Sequence, residues 1–303
     1  MSIILITGGN GFIGQELVKN LSDKGHEVTS FDILQPKEHS KTFKTFSGTI
    51  LNPFDLDNAI KDCEIVIHLA AMVGVALTEK KRLDCLEINI QGTKLVLDAA
   101  VRQKVKKIIF SSSSEVYGDQ ETIPINEEAD LKPRSNYGVT KLVGEEYVKA
   151  YSKFYEFDFN IVRFFNLYGG TQRDEFVIPK FKRAIDENDS LKIYGEGNQI
   201  RSYCHISDAT NGVAKILESG KINQTYNIGN NNEPISVMDL AFKMINFSKK
   251  NINIKKIPFE KSDRSKKREI YKRQPDISRL KQDTDYSPKV NLDEGIKKLF
   301  ENN

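Results

Sequence analysis

Three glycines near the start of the chain constrain the fold more than any other feature of the sequence. They lie in ITGGNGFIGQEL, where Gly8, Gly11 and Gly14 follow a short apolar run and precede an amphipathic segment. Glycines at this spacing let a backbone turn tightly and approach a pyrophosphate, while the following helix offers free N–H groups and a partial positive charge. The order of strand, glycines, helix and second strand therefore predicts a dinucleotide-binding unit.

A carboxylate ends the second predicted strand. The segment EVTSFD places Asp32 18 residues after Gly14. A carboxylate at this point can accept hydrogen bonds from the adenosine ribose hydroxyls and would repel a 2′-phosphate. We therefore expect NAD in preference to NADP; the alternative is that Asp32 only caps the turn after the strand.

Short apolar runs alternate with longer amphipathic segments over the first half of the chain. Strands are predicted at 3–7, 27–32, 63–71, 106–112 and 158–165, and helices at 14–25, 82–103 and 135–155. Strands that are apolar throughout and separated by helices indicate a parallel sheet covered on both faces. After Gly169 the rhythm changes. Residues 224–230 are predicted to add one more strand to the main sheet, and the remainder from about 233 is predicted to be helical and basic.

The composition excludes several classes of protein. The 303 residues carry a nearly balanced charge of +3, which does not indicate a nucleic-acid partner. The three cysteines are far apart and form no CxxC pair, which argues against a disulfide framework or a metal site and for a reducing compartment. No apolar run approaches the roughly 20 residues that span a bilayer. We expect a soluble, cytoplasmic protein without a membrane partner.

A tyrosine and a lysine share one face of the helix predicted at 135–155. In NYGVTK, Tyr137 and Lys141 are four residues apart. An unperturbed tyrosine has a pKa near 10, and a neighbouring ammonium together with a positive nicotinamide ring would lower it. Such a pair can remove a proton from a hydroxyl while the carbon beside it gives a hydride to NAD. A tyrosine and lysine on a merely solvated helix are the alternative.

Five segments carry a resemblance to a known family. TGGNGFIG, HLAA, SSSSEVYG, YGVTK and RFFNLYG occur in the order and at the spacing of the extended short-chain dehydrogenase/reductase family. More narrowly, nearly the whole chain resembles its NAD-dependent nucleotide-sugar epimerase/dehydratase branch. The resemblance implies an α/β fold, with a Rossmann-type doubly wound parallel sheet and a smaller C-terminal substrate-binding α/β region. The NAD-binding domain would span 1–168, with 206–230 returning to it, and the nucleotide-sugar-binding domain 169–205 and 231–303.

The resemblance also implies roles for residues of the first region. Ser113 would hydrogen-bond the reacting hydroxyl, Tyr137 would be the base, and Lys141 would tune it and bind the nicotinamide ribose. Glu115 would be a further catalytic residue, with a role that depends on the substrate. The cofactor would be held by Gly8, Gly11, Phe12, Ile13, Gly14, Asp32, Leu69, Ala70, Ala71, Ser111, Tyr137 and Lys141. Asn89 would support the sheet nearby.

The substrate would be a nucleotide-diphosphate sugar. The residues implied for binding it are Ser113, Ser114, Asn166, Val177, Phe181, Leu191, Tyr194, Arg201 and Arg273. Guanidinium groups suit phosphate because they fork onto two of its oxygens. The alternative is that both arginines are surface charges, and Arg273 follows a strongly basic run. Cys204, His68 and His205 are interpreted as structural, and the helices at 82–103 and 135–155 match those that pair in homodimers of the family.

The reaction is left open among several fates of a 4-keto sugar. Oxidation at C4 is the shared first step, and a nucleotide-sugar 4-epimerase is the leading hypothesis. A 4-dehydrogenase that releases the keto sugar and a UDP-uronic acid decarboxylase, which Glu115 would fit, are the alternatives. A 4,6-dehydratase is disfavoured, because Ser114 stands where those enzymes carry an aspartic acid. A regulator that only senses NAD is disfavoured because Tyr137 and Lys141 are both present.

Overall fold

A seven-stranded sheet organises the larger part of the molecule. The computed structural model describes residues 1–35, 42–258 and 269–301. In chain order the strands are β1 (Ile3–Thr7), β2 (Glu27–Asp32), β3 (Lys44–Ser47), β4 (Ile65–His68), β5 (Lys107–Ser113), β6 (Asp158–Phe164), β7 (Leu167–Tyr168), β8 (Leu191–Tyr194), β9 (Ile200–Ser202), β10 (Cys204–His205), β11 (Gln224–Ile228), β12 (Pro234–Ser236), β13 (Ile254–Ile257) and β14 (Lys272–Arg273).

Helices cover this sheet and build the second region. They are α1 (Phe12–Asp23), α2 (Pro53–Ile60), α3 (Val75–Lys80), α4 (Arg82–Leu86), α5 (Gly92–Arg102), α6 (Asn136–Tyr155), α7 (Val177–Asp186), α8 (Ile206–Ser219), α9 (Val237–Ser248), α10 (Ser278–Thr284) and α11 (Leu292–Glu301). A π-helical turn, Glu87–Gln91, joins α4 to α5, and a 3₁₀ turn, Ser114–Tyr117, follows β5.

The order of the strands places a crevice at the centre of the sheet. The order is β11-β6-β5-β4-β1-β2-β3, and every pairing is parallel. The chain builds outward from β1 to β3 in one direction and then from β4 to β11 in the other, so the order reverses between β1 and β4. In open parallel sheets, ligands bind outside the carboxyl ends of the strands at such a reversal.

Each face of the sheet buries its own apolar core. On one face α1, α8 and α10 pack against the strands through side chains such as Leu17, Val213 and Leu280. On the other face α2, α5 and α6 contribute side chains such as Leu56 and Val96. Burial on both faces explains why the strands are apolar along their whole length.

The second region has a separate core. Helices α7, α9 and α11 surround the pair β13-β8 and the three-stranded sheet β12-β9-β14, with Phe181, Leu191 and Met244 among the buried side chains. One strand pair and one isolated bridge connect the second region to segments of the first. Strand β10 pairs with β7 directly after β6, and Ile125 forms a bridge with Pro275.

Several predicted elements differ from the structure. The π-helical turn divides the helix predicted at 82–103, and β3 was not predicted because KTFS is not an apolar run. The remainder from 233 contains β12, β13 and β14 and is not only helical. Residues of the segment 277–286 pack into the core of the main sheet, although the predicted division assigns 231–303 to the second region. The strand predicted at 224–230 is β11, which pairs with β6.

Candidate active site

The glycine loop between β1 and α1 forms a close-packed cradle. Gly8 has a φ of 73°, which an L side chain rarely adopts, and a Cβ on Gly8 would lie 2.8 Å from the Ala70 nitrogen. A Cβ on Gly14 would lie 2.1 Å from the Gly8 carbonyl oxygen. None of the described side chains caps α1 at Gly11. The N–H groups at the start of this helix are therefore available to a pyrophosphate, as the sequence predicts.

Asp32 caps a turn and keeps hydrogen-bonding capacity. One carboxylate oxygen accepts the Asn10 N–H at 3.0 Å and the other accepts the Leu34 N–H at 2.9 Å. A carboxylate has about four lone-pair sites, so these bonds leave acceptor positions for ribose hydroxyls. The turn-capping alternative and the ribose-binding prediction are thus compatible, and the cradle fits NAD.

The segment after β4 lies directly against the glycine loop. Leu69 N–H donates to the Thr7 carbonyl at 3.0 Å, and Ala70 N–H donates to the Thr7 hydroxyl at 3.2 Å. Asn89, in the π-helical turn, receives the Met72 N–H at 2.7 Å and donates to the Met72 carbonyl at 3.0 Å. Asn89 therefore fixes the backbone that follows Leu69, Ala70 and Ala71, consistent with the supporting role implied for it.

Ser113, Tyr137 and Lys141 meet at the carboxyl end of β5. Ser113 ends β5, and its hydroxyl accepts the Glu115 N–H at 3.2 Å. Lys141 is 3% exposed and its ammonium donates to the Ser111 carbonyl at 2.7 Å. The same ammonium lies 5.8 Å from the centroid of the Tyr137 ring. The predicted catalytic residues of strand and helix are therefore neighbours beside the crevice.

The protein's own residues do not lower the pKa of Tyr137. Burial raises the pKa of the phenol, the Glu115 carboxylate raises it further, and a hydrogen bond with Ser113 works in the opposite direction. Burial lowers the pKa of Lys141 to about 8. The lowered pKa predicted for Tyr137 depends on the nicotinamide ring as well as on Lys141, and among the chain's own groups burial and Glu115 disfavour the phenolate.

Glu115 of the first region forms an ion pair with Arg273 of the second region. Its carboxylate lies 2.7 Å from Nη1 of Arg273 in β14 and accepts the Ser135 hydroxyl at 3.0 Å. Burial alone would raise the pKa of Glu115, but Arg273 and Ser135 hold it below its usual value. Nε of Arg273 is buried without a hydrogen-bond partner among the described residues. Arg273 therefore points its guanidinium at the site and retains a donor.

Other residues implied for substrate binding have structural partners. Arg201 donates to the carbonyls of Ile200, Ile270 and Tyr271 and lies 3.5 Å from the Glu269 carboxylate. The Asn166 side chain donates to the Ser202 carbonyl at 3.2 Å. Both residues hold β9 in place next to the site.

Of the remaining residues predicted to bind substrate, some are buried in the second core and one is partly exposed. Phe181 and Leu191 are buried in the second core, with Val177 packed against them, and Ser114 is 2% exposed. The structure therefore does not bring the Phe181 and Leu191 side chains to an open surface, because they fill the core between α7 and β8. Tyr194 ends β8 and is partly exposed.

Sequence analysis missed three residues at the site. Ser135 caps α6 by accepting the Gly138 N–H at 3.0 Å, and a serine at the first position of a predicted helix is a recognised start signal. Glu145 and Arg163 form a buried pair at 2.6 Å behind β5. The available signals were a glutamate four residues after Lys141 and an arginine inside the apolar strand NIVRFF.

The topology of the sheet and the placement of Tyr137 and Lys141 on α6 put the molecule among the extended short-chain dehydrogenase/reductases. The chain belongs to the NAD-dependent epimerase/dehydratase family, whose sequence model matches residues 4–229. Its cofactor is NAD, which the cradle fits. Members of this family are NAD-dependent nucleotide-sugar enzymes that work as epimerases, dehydratases or decarboxylases.

Three relatives illustrate the range of reactions around this chain. It is 34% identical to a UDP-N-acetyl-alpha-D-glucosaminuronate decarboxylase from Bacillus cytotoxicus, covering 98% of this chain and 96% of that protein. It is 30% identical, with a TM-score of 0.90 and 98% of both chains covered, to a UDP-glucuronic acid 4-epimerase from Bacillus cereus solved with UDP-glucuronic acid and NAD. A UDP-N-acetylglucosamine 4-epimerase from Methanobrevibacter ruminantium is 27% identical, with a TM-score of 0.90 and coverage of 99% and 97%.

Two further features bear on the class of protein. No helix in the described ranges is both long and apolar enough to cross a membrane.

Cys63, Cys85 and Cys204 are buried free thiols, and burial raises the pKa of Cys204 to about 12. This agrees with the interpretation of Cys204 as a structural residue rather than a nucleophile.

Proposed function

We propose that the protein is a nucleotide-sugar 4-epimerase, which oxidises the C4 hydroxyl of a nucleotide-linked sugar and reduces the ketone from its other face. The observation that carries this proposal is the meeting of Ser113, Tyr137 and Lys141 beside the glycine cradle. NAD, when bound, supplies the hydride acceptor for oxidation and returns that hydride in reduction.

Each residue has a distinct task in the proposed cycle. The Ser113 hydroxyl hydrogen-bonds the sugar hydroxyl, and the Tyr137 phenolate takes its proton as the C4–H bond breaks. The Lys141 ammonium stabilises that phenolate, which the buried position of Tyr137 and the charge of Glu115 otherwise oppose. Tyr137 returns the proton to the oxygen at C4 when the ketone is reduced.

The ion pair of Glu115 supports epimerisation over the other fates. Its carboxylate is held by Arg273 at 2.7 Å and by Ser135 at 3.0 Å. An epimerase needs only the serine, the tyrosine, the lysine and the cofactor, and these are the groups that remain available. Dehydration also needs an acid for the departing hydroxyl, and Ser114 offers none.

Decarboxylation of a nucleotide-linked uronic acid is the second candidate. After oxidation at C4, the C6 carboxylate is beta to a ketone and can leave as carbon dioxide, with C5 then protonated. The buried Nε of Arg273, which lacks a partner among the described residues, favours an anionic group at this place. The decarboxylase from Bacillus cytotoxicus supports the same candidate.

A panel of sugars distinguishes the candidates. The purified protein is incubated with NAD and separately with UDP-glucose, UDP-N-acetylglucosamine, UDP-glucuronic acid and UDP-N-acetylglucosaminuronic acid. Inversion at C4 seen by NMR, without net NADH, supports the epimerase. Release of carbon dioxide favours the decarboxylase, and accumulation of NADH with a free keto sugar favours the 4-dehydrogenase. NAD binding with no turnover of any sugar would leave the NAD-sensing alternative.

Tyr137→Phe tests the shared first step. We expect kcat to fall by roughly 10²–10⁴-fold, because the variant loses the group that moves the proton. The melting temperature should stay close to that of the wild type. Tyr147→Phe, on the same helix, is the control and should retain activity. Undiminished turnover by Tyr137→Phe would contradict the mechanism.

We also propose a homodimer that pairs the surfaces of α4 and α6. Leu83 and Phe154 on these helices are 80% and 78% exposed. Large apolar side chains left in water favour burial against a partner. Analytical ultracentrifugation of the wild type and of Leu83→Glu tests this: the wild type should sediment as a dimer and the variant as a monomer.

A further inference from the structure

A buried ion pair lies behind β5, the strand that ends at Ser113. Glu145 of α6 is 0% exposed and Arg163 of β6 is 3% exposed. The two side chains form a bidentate pair, with Nε–Oε1 and Nη2–Oε2 distances of 2.9 and 2.6 Å. A buried pair is weak evidence for stability, because desolvation offsets much of the attraction. The pair therefore invites an explanation other than stability alone.

Glu145 joins the helix to the strand immediately before Ser113. The Ser112 hydroxyl donates to Glu145 Oε1 at 2.5 Å. One helical turn earlier, Lys141 donates to the Ser111 carbonyl at 2.7 Å. Two consecutive residues of β5 are thus tied to two residues of α6. These ties set the spacing between Ser113 on the strand and Tyr137 on the helix.

Arg163 also forms hydrogen bonds with residues that follow β5 and contact β11. Its Nη1 donates to the Tyr117 hydroxyl at 2.9 Å and to the Glu127 carbonyl at 3.1 Å. The Tyr117 hydroxyl donates to Asn227 in β11 at 2.7 Å. Every nitrogen of the guanidinium has a partner in this network. Arg163 therefore fixes the Glu145 carboxylate in place.

Glu145 is also the carboxylate that acts on Lys141. The charged or titratable neighbours of this ammonium are His68 of β4, Cys85 of α4, and Tyr137 and Glu145 of α6. His68 is neutral near neutral pH, since burial lowers its pKa to about 3. Burial lowers the pKa of Lys141, whereas Cys85 and Glu145 raise it.

We propose that Glu145, fixed by Arg163, is a positioning residue for the oxidation at C4: it sets the distance between β5 and α6 and keeps the Lys141 side chain in its ammonium form. Glu145 touches neither substrate nor cofactor in this scheme and acts through Ser112 and Lys141. This inference rests on the function proposed above.

Four variants separate positioning from simple stabilisation. Glu145→Gln removes the charge while keeping the shape, and Glu146→Gln is its matched control at an exposed pair with Lys149. The double variant Glu145→Gln/Arg163→Gln removes both charges, so that no buried arginine is left unpaired. Ser112→Ala removes only the bond between strand and helix.

The first readout does not depend on the sugar. The pKa of Lys141 is measured from its Nζ resonance in protein labelled with ¹⁵N-lysine, with Lys141→Arg used for assignment. We expect it to fall by about one pH unit in Glu145→Gln and in the double variant, and to stay unchanged in Glu146→Gln and Ser112→Ala. An unchanged pKa of Lys141 in both Glu145 variants would contradict the proposal that the Glu145 charge stabilises the ammonium.

The second readout is the pH profile of kcat with the sugar that the wild type converts. Activity falls as Lys141 loses its proton, so the falling limb should move to lower pH in both Glu145 variants. In Ser112→Ala, kcat should fall by roughly tenfold with an unmoved profile, because only the geometry changes. A double variant that regains both stability and the wild-type profile would show that the pair is merely structural. Absence of any wild-type turnover would contradict the proposed function, while the resonance of Lys141 would still decide the electrostatic role of Glu145.

Discussion

Glu115 and Tyr137 influence each other across the first turn of α6. The carboxylate raises the pKa of the phenol, and it does so although Arg273 lies 2.7 Å from its other side. The negative charge of Glu115 therefore disfavours the phenolate form that the proposed base needs. We therefore expect Glu115 to influence the pH range of the proposed activity without touching the reacting hydroxyl.

Glu115→Gln should move the rising limb of the kcat/KM profile to lower pH. Tyr137 acts as a base only when deprotonated, so activity rises with pH through its pKa. Removing the negative charge of Glu115 lowers that pKa. Asp119→Asn is the control, since Asp119 pairs with Arg134 at 3.5 Å on the same loop. A limb that stays in place or moves to higher pH would contradict this electrostatic account.

At the scale of elements, the start of α6 is where the site is assembled. Ser135 accepts the Gly138 N–H and donates to Glu115, while Glu79 of α3 accepts the Asn136 N–H at 2.9 Å. A carboxylate and a hydroxyl thus satisfy N–H groups that a helix leaves unpaired. The same contacts orient the turn that carries Tyr137.

Ser135→Ala should lower both stability and turnover. The lost cap reduces the free energy of unfolding by about 1 kcal/mol. We expect kcat to fall as well, because the turn carrying Tyr137 loses its bond to Glu115. Ser236→Ala is a matched control, since Ser236 caps α9 by accepting the Asp239 N–H at 3.0 Å. The control should lose similar stability in urea unfolding and retain kcat; equal effects on kcat would argue against a local role.

Gly14→Ala should disrupt the cradle. The new Cβ would lie 2.1 Å from the Gly8 carbonyl oxygen, so α1 must move away from the loop. We expect a loss of NAD affinity together with about 1–3 kcal/mol of stability. Gly170→Ala, where a Cβ meets no atom of the described structure within 4 Å, is the control. Calorimetric titration with NAD measures the affinity, and unchanged binding by Gly14→Ala would count against the assignment of this loop.

What the sequence could predict depends on how local the interaction is. The glycine cradle and the pair Tyr137–Lys141 follow from spacings of a few residues, so their patterns indicate both geometry and chemistry. The pair Glu115–Arg273 joins residues 158 positions apart, and no local pattern indicates that the two meet. The π-helical turn at Asn89 was also missed, because one inserted residue leaves an apolar spacing of three and four almost unchanged.

At the scale of the whole molecule, one histidine at the centre of the sheet links acidity to stability. His68 lies between the hydroxyls of Thr7 at 2.7 Å and Thr93 at 3.1 Å. The Thr93 hydroxyl donates to the Asn89 carbonyl, so it must accept the proton on Nε2 of His68. Nδ1 then accepts the proton of the Thr7 hydroxyl, and burial of the ring favours this neutral form by lowering the pKa of His68.

His68→Gln should make the protein less sensitive to acid. Burial lowers the pKa of His68 to about 3, whereas an unfolded chain protonates it near 6.5. The free energy of unfolding is therefore not reduced by His68 above pH 6.5. It falls as the pH drops below that value, because the unfolded chain then binds a proton that the buried ring does not. Between pH 7.5 and 5 the wild type should lose ~2 kcal/mol through His68.

Urea unfolding at the two pH values checks this expectation. The difference in free energy of unfolding should be smaller in His68→Gln than in the wild type. His26→Gln is the comparison: burial lowers the pKa of His26 as well, but this ring is only partly buried, so the variant should reduce the acid sensitivity less than His68→Gln. A variant that remains as acid-sensitive as the wild type would show that other groups dominate.

The late return of the chain to the main sheet has a consequence for synthesis on the ribosome. Strand β6 ends at Phe164, and β11, its neighbour on the outer side, begins about 60 residues later at Gln224. At roughly 5–20 residues per second, that edge stays unpaired for several seconds of translation. An unpaired apolar edge is a template for the strands of other chains. We therefore expect the nascent protein to be most exposed to misassembly after its proposed catalytic residues have been made and before β11 completes the sheet.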